Sequence, residues 1–174
     1  MKFLYTLLIL LCMCGNHALA QRKPPATPLD YNDRLAEVTD SLYHLGIEWG
    51  SAFRKIYTGD KDFSRLSAQR KQLQAFVSRK ITEVRALPAI GKGAAVLKEA
   101  MIEFLFFENR MIETAFFPME RFTGNSSGSE IEAAVKLLQS EADKEGKELT
   151  KVHTAQKYYA AQNDFELESR EDQE

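Results

Sequence analysis

What this chain lacks narrows it first. Its two cysteines, Cys12 and Cys14, lie close to the N-terminus, so the sequence beyond them has no thiol for a disulfide or a thiolate nucleophile. Of its three histidines, His17 is also near the start. The residues three before His44 and His153 are Ser41 and Thr150, whereas paired metal sites of helical bundles use Glu-x-x-His. There is no Gly-x-Ser-x-Gly turn, and Gly91-Lys92-Gly93 lacks the frame of a phosphate-cradling loop. Beyond Met13 no run approaches the ~18 uninterrupted apolar residues of a membrane span. No segment alternates β-branched and polar residues as a strand does. These absences predict no catalytic residues, no metal ligands and no cofactor.

What is present begins with an export signal. Lys2 supplies a positive start, Phe3 to Met13 is apolar apart from Thr6, and Ala18-Leu19-Ala20 has the A-x-A form of a cleavage site. Cleavage between Ala20 and Gln21 is expected. The apolar run is too short to remain as an anchor helix. A lipid anchor at Cys14 is the competing reading, and Met13 before it is a poor fit for one. The expected location is therefore the periplasm, the cell surface or the medium. Removing Lys2 from the 23 basic residues leaves 22 against 25 acidic ones, a net charge of −3, which argues against binding a nucleic-acid backbone.

The remaining length suits one domain. Residues 21–29 hold three of the five prolines and read as an extended lead-in. Four helical periodicities follow. Leu35, Val38, Leu42, Leu45, Trp49, Ala52 and Ile56 form one seam between about Asp30 and Tyr57, ended by Thr58-Gly59-Asp60 with Gly59 as a left-handed cap. Asp60 or Asp62 is placed to cap a second helix, Phe63 to Leu87, which Pro88 stops. The short linker Pro88 to Gly93 makes a third helix, Ala94 to Phe117, antiparallel to the second, and Pro118 is expected to end it. A loop, Thr123 to Gly128, leads to Ser129-Glu130-Ile131-Glu132, read as a capping box. The fourth helix carries Ile131, Val135, Leu138, Ala142, Leu149, Val152, Gln156 and Tyr159 and runs toward Phe165, some 54 Å for roughly 36 residues. The expected architecture is all-α: an antiparallel up-down-up-down four-helix bundle over 30–165, its fourth helix longest, with a charged, frayed tail over 166–174. A three-helix bundle with a detached fourth helix is the rival arrangement.

Tyr31-Asn32-Asp33, Leu87-Pro88-Ala89-Ile90-Gly91-Lys92-Gly93 before Leu97-Lys98-Glu99-Ala100, and Ala155-Gln156-Lys157-Tyr158-Tyr159-Ala160 with Asn163-Asp164-Phe165-Glu166-Leu167-Glu168 carry a resemblance. Through these segments the chain resembles a family of exported bacterial surface proteins with a helical-bundle domain of unknown function. The resemblance implies a cell-envelope location and brings no activity and no site residues.

Candidate residues remain. His44, one turn from Asp40 and Glu48, reads as a solvated histidine. Asn125-Ser126-Ser127 matches a glycosylation acceptor and reads as a polar loop. Gly46 and Gly50, one turn apart, would let another helix come close; packing within the bundle is the expected use. Phe106 falls in the polar stripe of Glu99, Glu103, Arg110 and Glu113, with Phe107 one step away and Phe117 back on the same side, which suggests a partner contact. Glu108 falls in the middle of the apolar face of the third helix and needs a partner. Counting back equally from the linker puts Arg70 within a turn of it, so a buried Arg70–Glu108 pair is expected. The functional expectation is a non-enzymatic interaction or structural module of the envelope, binding another envelope macromolecule or itself. The alternative is a bundle that holds a small ligand or a metal in its core.

Overall fold

The computed structural model describes residues 23–167. The expected cleavage site at Ala20 and Gln21, Cys14, and the tail beyond Leu167 lie outside the described residues.

Thr27 opens the first helix. Its hydroxyl accepts from the Asp30 N–H at 3.1 Å, the Asp30 carboxylate accepts from the Thr27 N–H at 3.0 Å, and Pro28 takes the first helical position. The hydroxyl and backbone bonds from Thr27 and Ala26 lower the pKa of Asp30. Helix α1 therefore spans Pro28–Thr58, and the last proline of the lead-in belongs to the helix. Its seam is as expected: Leu35, Val38, Leu42, Trp49 and Ile56 are buried, and Leu45 and Ala52 pack partly buried beside them. The cap differs. Gly59 has φ −105, and the left-handed position falls on Lys61 at φ 57, whose N–H reaches the Ile56 carbonyl at 3.1 Å. A 3₁₀ turn, Phe63–Leu66, leads into α2, Ser67–Ala86.

Helix α3 spans Ala94–Met111, and the helical path that continues from it is not ended by Pro118 as expected. A π-helical segment, Ile112–Phe116, follows, and a last α-turn, Phe117–Met119, contains Pro118 near its start. The π turn has already broken the ladder from residue i to i−4, so the missing proline N–H interrupts nothing that was still regular. Helix α4, Gly128–Gln162, opens on a capping box two residues earlier than the expected one: Ser127 and Glu130 make the reciprocal bonds.

Among the described residues there is no strand, and the four helices form an up-down-up-down bundle. Helix α3 packs most extensively on α4, then on α2, while α1 packs chiefly on α2 and only lightly on α4. No helix of the described residues is long and apolar enough to cross a membrane. One end of the bundle is tied by polar bonds. The Tyr31 hydroxyl donates to the Ala94 carbonyl at 3.3 Å, the Tyr159 hydroxyl donates to that of Ile90, and the Asn163 amide donates to that of Lys92 at 2.8 Å. Burial, with Tyr159 beside it, pushes the Tyr31 phenol up to about 12. Gly91, at φ +82, sits where a side chain would run into Asn163. The start of α1, the 90–93 linker and the end of α4 thus meet at this end of the bundle.

Candidate functional site

Helix α3 divides its residues as a period of 3.6 requires. Leu97, Met101, Phe104, Leu105 and Met111 are buried, and Glu99, Glu103, Arg110 and Glu113 are exposed. Phe106 lies in the polar stripe with 46% of its surface open. The Arg85 guanidinium covers one face of its ring at 4.9 Å. Beside it is a shallow depression of about 420 Å³ between the interhelical linker and α3. Ala89, Ile102 and Phe106 give it apolar walls, and Lys98, Glu99 and Glu103 give it charges of both signs. Lys98 is tied to the linker by a 2.7 Å bond to the Leu87 carbonyl. The depression offers apolar contact and side-chain charges of both signs.

The other two aromatic candidates go elsewhere. Phe107 is 6% exposed and belongs to the core, a correction to its expected role. One residue is a 100° step, which carries Phe107 out of the polar stripe and under Arg110, whose guanidinium lies 5.0 Å from the ring. Phe117 is exposed, but it stands between Arg70 and Arg121, at 5.1 and 4.9 Å from its ring centre, among neighbours other than those of Phe106. Phe107→Ala should cost about 3–5 kcal/mol in chemical denaturation, as emptied aromatic core sites do. Phe106→Asp should cost less, on the order of 1–2 kcal/mol, because the ring gives up its Arg85 contact and aspartate is a weak helix former.

The Arg70–Glu108 pair is not formed. Arg70 makes its ion pair with Glu120, through Nε to Oε1 and Nη2 to Oε2 at 3.4 Å, and Nη1 donates to Gln74 at 2.7 Å. Equal counting from the linker failed because the linker is not a tight reversal. Leu87 leaves α2 extended, with ψ 125, and Lys98 and Phe106 lie beside Leu87 and Arg85. The start of α3 therefore projects past the end of α2, and Arg70 falls level with Phe117 and Glu120.

Glu108 is buried as expected, at 3% exposure, but its neighbour is another carboxyl, Glu145 on α4. Its Oε1 has no partner among the described residues. Burial, and then Glu145, pushes the Glu108 carboxyl up to about 8, so at neutral pH it is protonated and can bridge to Glu145. Burial raises Glu145 as well. A sequence signal for this pair existed. Glu141, Glu145 and Glu148 lie on one face of α4; Lys144 neutralises Glu141 at 2.6 Å and Lys151 neutralises Glu148 at 2.8 Å, both three residues on. Three residues after Glu145 stands Glu148 itself, leaving no such lysine. The expected apolar position Ala142 is exposed, and Glu141 takes the buried place beside it.

His44 is exposed, in edge contact with Tyr43 at 5.9 Å. It lines a groove of about 500 Å³ between α1 and α2, with Ser41, Gln72 and Arg79 above Leu45 and Phe76. Among the described residues no three His, Cys, Asp or Glu side chains gather closely enough to hold a metal ion. Compared with family models, with curated proteins and with solved structures, the chain matches none.

Proposed function

We propose that this chain is an exported, non-enzymatic protein of the cell envelope that works by contact with another macromolecule through the outer face of α3. Phe106 carries the reading: a large aromatic ring, 46% exposed between Glu103 and Arg110, on the wall of a depression with charges of both signs. Contact surfaces combine an aromatic anchor, arginine and a polar rim in this way. The N-terminal pattern ending in Ala18-Leu19-Ala20 and the family resemblance support export. Pull-down from envelope extracts should recover a reproducible partner with the native chain and lose most of it with Phe106→Asp, whose helix content should be unchanged. Equal recovery by both would remove this face from the reading. N-terminal sequencing of the exported form should begin at Gln21; a lipid-modified Cys14 would show that the anchor reading was right.

The buried carboxyl pair favours a second reading, a bundle that holds a small ligand or a metal in its core. Native mass spectrometry of the protein purified from its source cell tests it, and a bare chain mass leaves it without support.

A further inference from the structure

Helix α4 is held to the bundle unevenly. Its last turns carry Val152, Ala155, Tyr159 and Ala160 into the core, and Tyr159 and Asn163 tie them to the linker at Ile90 and Lys92. Its first turn is held by Ile131. Over the roughly 31 Å between Ile131 and Val152, the one buried residue among those described is Glu141, which Lys144 neutralises. The apolar side chains that face inward there, Ala134, Val135, Leu138 and Leu149, are half-buried. Hydrophobic burial, the main force that seats a helix on its neighbours, is therefore weak along this stretch. Gly146 stands within it, exposed; a Cβ on it would meet nothing within 4 Å, so packing does not require glycine and the helix is locally weakened. What α4 sets against α3 in this stretch is Glu145, beside Glu108, whose Oε1 has no partner among the described residues. The cations of α2 and α4 are committed elsewhere: Lys144 to Glu141, Lys151 to Glu148, Arg70 to Glu120, Lys80 to Glu83, and Arg85 to the Phe106 ring. His44 and Glu48 on α1 are exposed. Glu145 is thus the charge that acts on Glu108.

We propose that the first half of α4, Gly128 to Gly146, is an arm latched to α3 by a proton held between Glu108 and Glu145, and that loss of this proton lets the arm leave α3 while the second half stays docked. Two carboxylates ionised together across a dry seam repel each other and lack the water each needs, and the half-buried Leu138 opposes their separation only weakly. Opening returns both groups to solvent. The two helices are antiparallel with Glu145 beside Glu108, so the part of α4 before Glu145 lies on the π segment and the last turn after it. The open arm therefore uncovers apolar surface around Ile112, Ala115 and Met119. In the closed arm the Glu108 carboxyl keeps its proton up to about pH 8, whereas a solvated carboxyl releases it near 4.5. Below 4.5 both forms hold the proton and pH has no effect through it. Between 4.5 and 8 each unit of pH raises the open fraction about tenfold, the effect of one proton released on opening, and above 8 the rise stops. The latch rests neither on the contact role of Phe106 nor on a ligand in the core.

Amide hydrogen exchange on the chain as the cell processes it, read residue by residue from about pH 5 to about pH 8 with and without low urea, separates the arm from the rest of α4. At pH 8 the amides from Glu132 to Glu145 should be at least about tenfold less protected than those from Val152 to Ala160. Exchange in the arm should respond little to urea, because a local opening exposes little surface, whereas the second half should exchange through global unfolding and respond strongly. Corrected for the intrinsic exchange rate, protection in the arm should fall about tenfold per pH unit, and Glu108→Gln should remove most of that fall. Should Glu108→Gln fail to fold, Glu145→Gln makes the same test from the other side of the seam. Equal protection in the two halves overturns the proposal. So does an arm whose protection is independent of pH, or falls with pH as steeply in the glutamine variants as in the native chain.

Discussion

Glu108→Gln is expected to make the protein more stable at pH 9 and to flatten its dependence on pH. The sign follows from where the proton sits. In the unfolded chain the Glu108 carboxyl titrates near its ordinary value of 4.5; in the bundle, burial and Glu145 raise it to about 8. Below 4.5 both states hold the proton and the raised pKa gives no slope. Between 4.5 and 8 the folded state binds a proton that the unfolded state has released, so stability falls as pH rises across that window and levels off above it. A tenfold difference in proton affinity between the two states corresponds to about 1.4 kcal/mol, so the whole fall is on the order of a few kcal/mol. Glutamine has the same shape, keeps a donor for Glu145 and has no charge to expose. Chemical denaturation of both proteins from pH 4.5 to pH 9 measures the difference, which cancels the slopes from Tyr31 and the surface groups. Two parallel curves would show that Glu108 titrates normally and that the two carboxyls do not share a proton. Glu145→Gln should reproduce part of the effect.

Breaking the Arg70–Glu120 pair should have an effect of similar size by another route. Both side chains are nearly enclosed, at 9% and 10% exposure, and Phe117 covers the guanidinium. Glu120→Ala leaves a buried arginine facing Gln74 alone, a loss on the order of 3–5 kcal/mol. Arg70→Met removes the charge but keeps the stem, so the double variant Arg70→Met, Glu120→Ala should lose less than the two single losses added together. Thermal and denaturant unfolding of the four proteins completes the cycle. If the losses simply add, the pair contributes no coupling and Arg70 acts through its stem and the Phe117 ring. Glu108 serves as the reference position: if Arg70 had paired there, Arg70→Met would shift the pH dependence assigned to Glu108, and it should not.

The different fates of these carboxylates show what each level of organisation controls. Periodicity settled the all-α class, four helices of nearly the right length, the seam of α1 and the polar stripe that leaves Phe106 exposed, because each rests on spacing within one helix. It also marked Glu108 as buried, since a 3.6-residue period needs no neighbour to say which side faces in. Local capping was half legible: Thr27 and Ser127 cap by rules visible in sequence, but Ser129 offered a competing box two residues later, and only the path of the 123–127 loop chose between them.

What the sequence could not decide was axial register between helices. Whether Glu108 meets Arg70 depends on how far the 87–93 linker travels before α3 begins. That distance is set by Leu87 leaving extended, by Lys98 holding the Leu87 carbonyl and by the glycine turns at Gly91 and Gly93. A slide of a few residues changes a buried partner from a cation to a second carboxyl and leaves the apolar pattern of every helix intact. The π turn at Ile112–Phe116 is of the same kind: it carries Phe117 away from the face of Phe106 and toward Arg70, and no spacing in the sequence announces it. Composition and period therefore marked most of the residues that lie inside, Phe107 and Glu141 apart. Only the packed bundle decided which of those residues touch, because many registers bury the same apolar surface and differ only in their polar pairs.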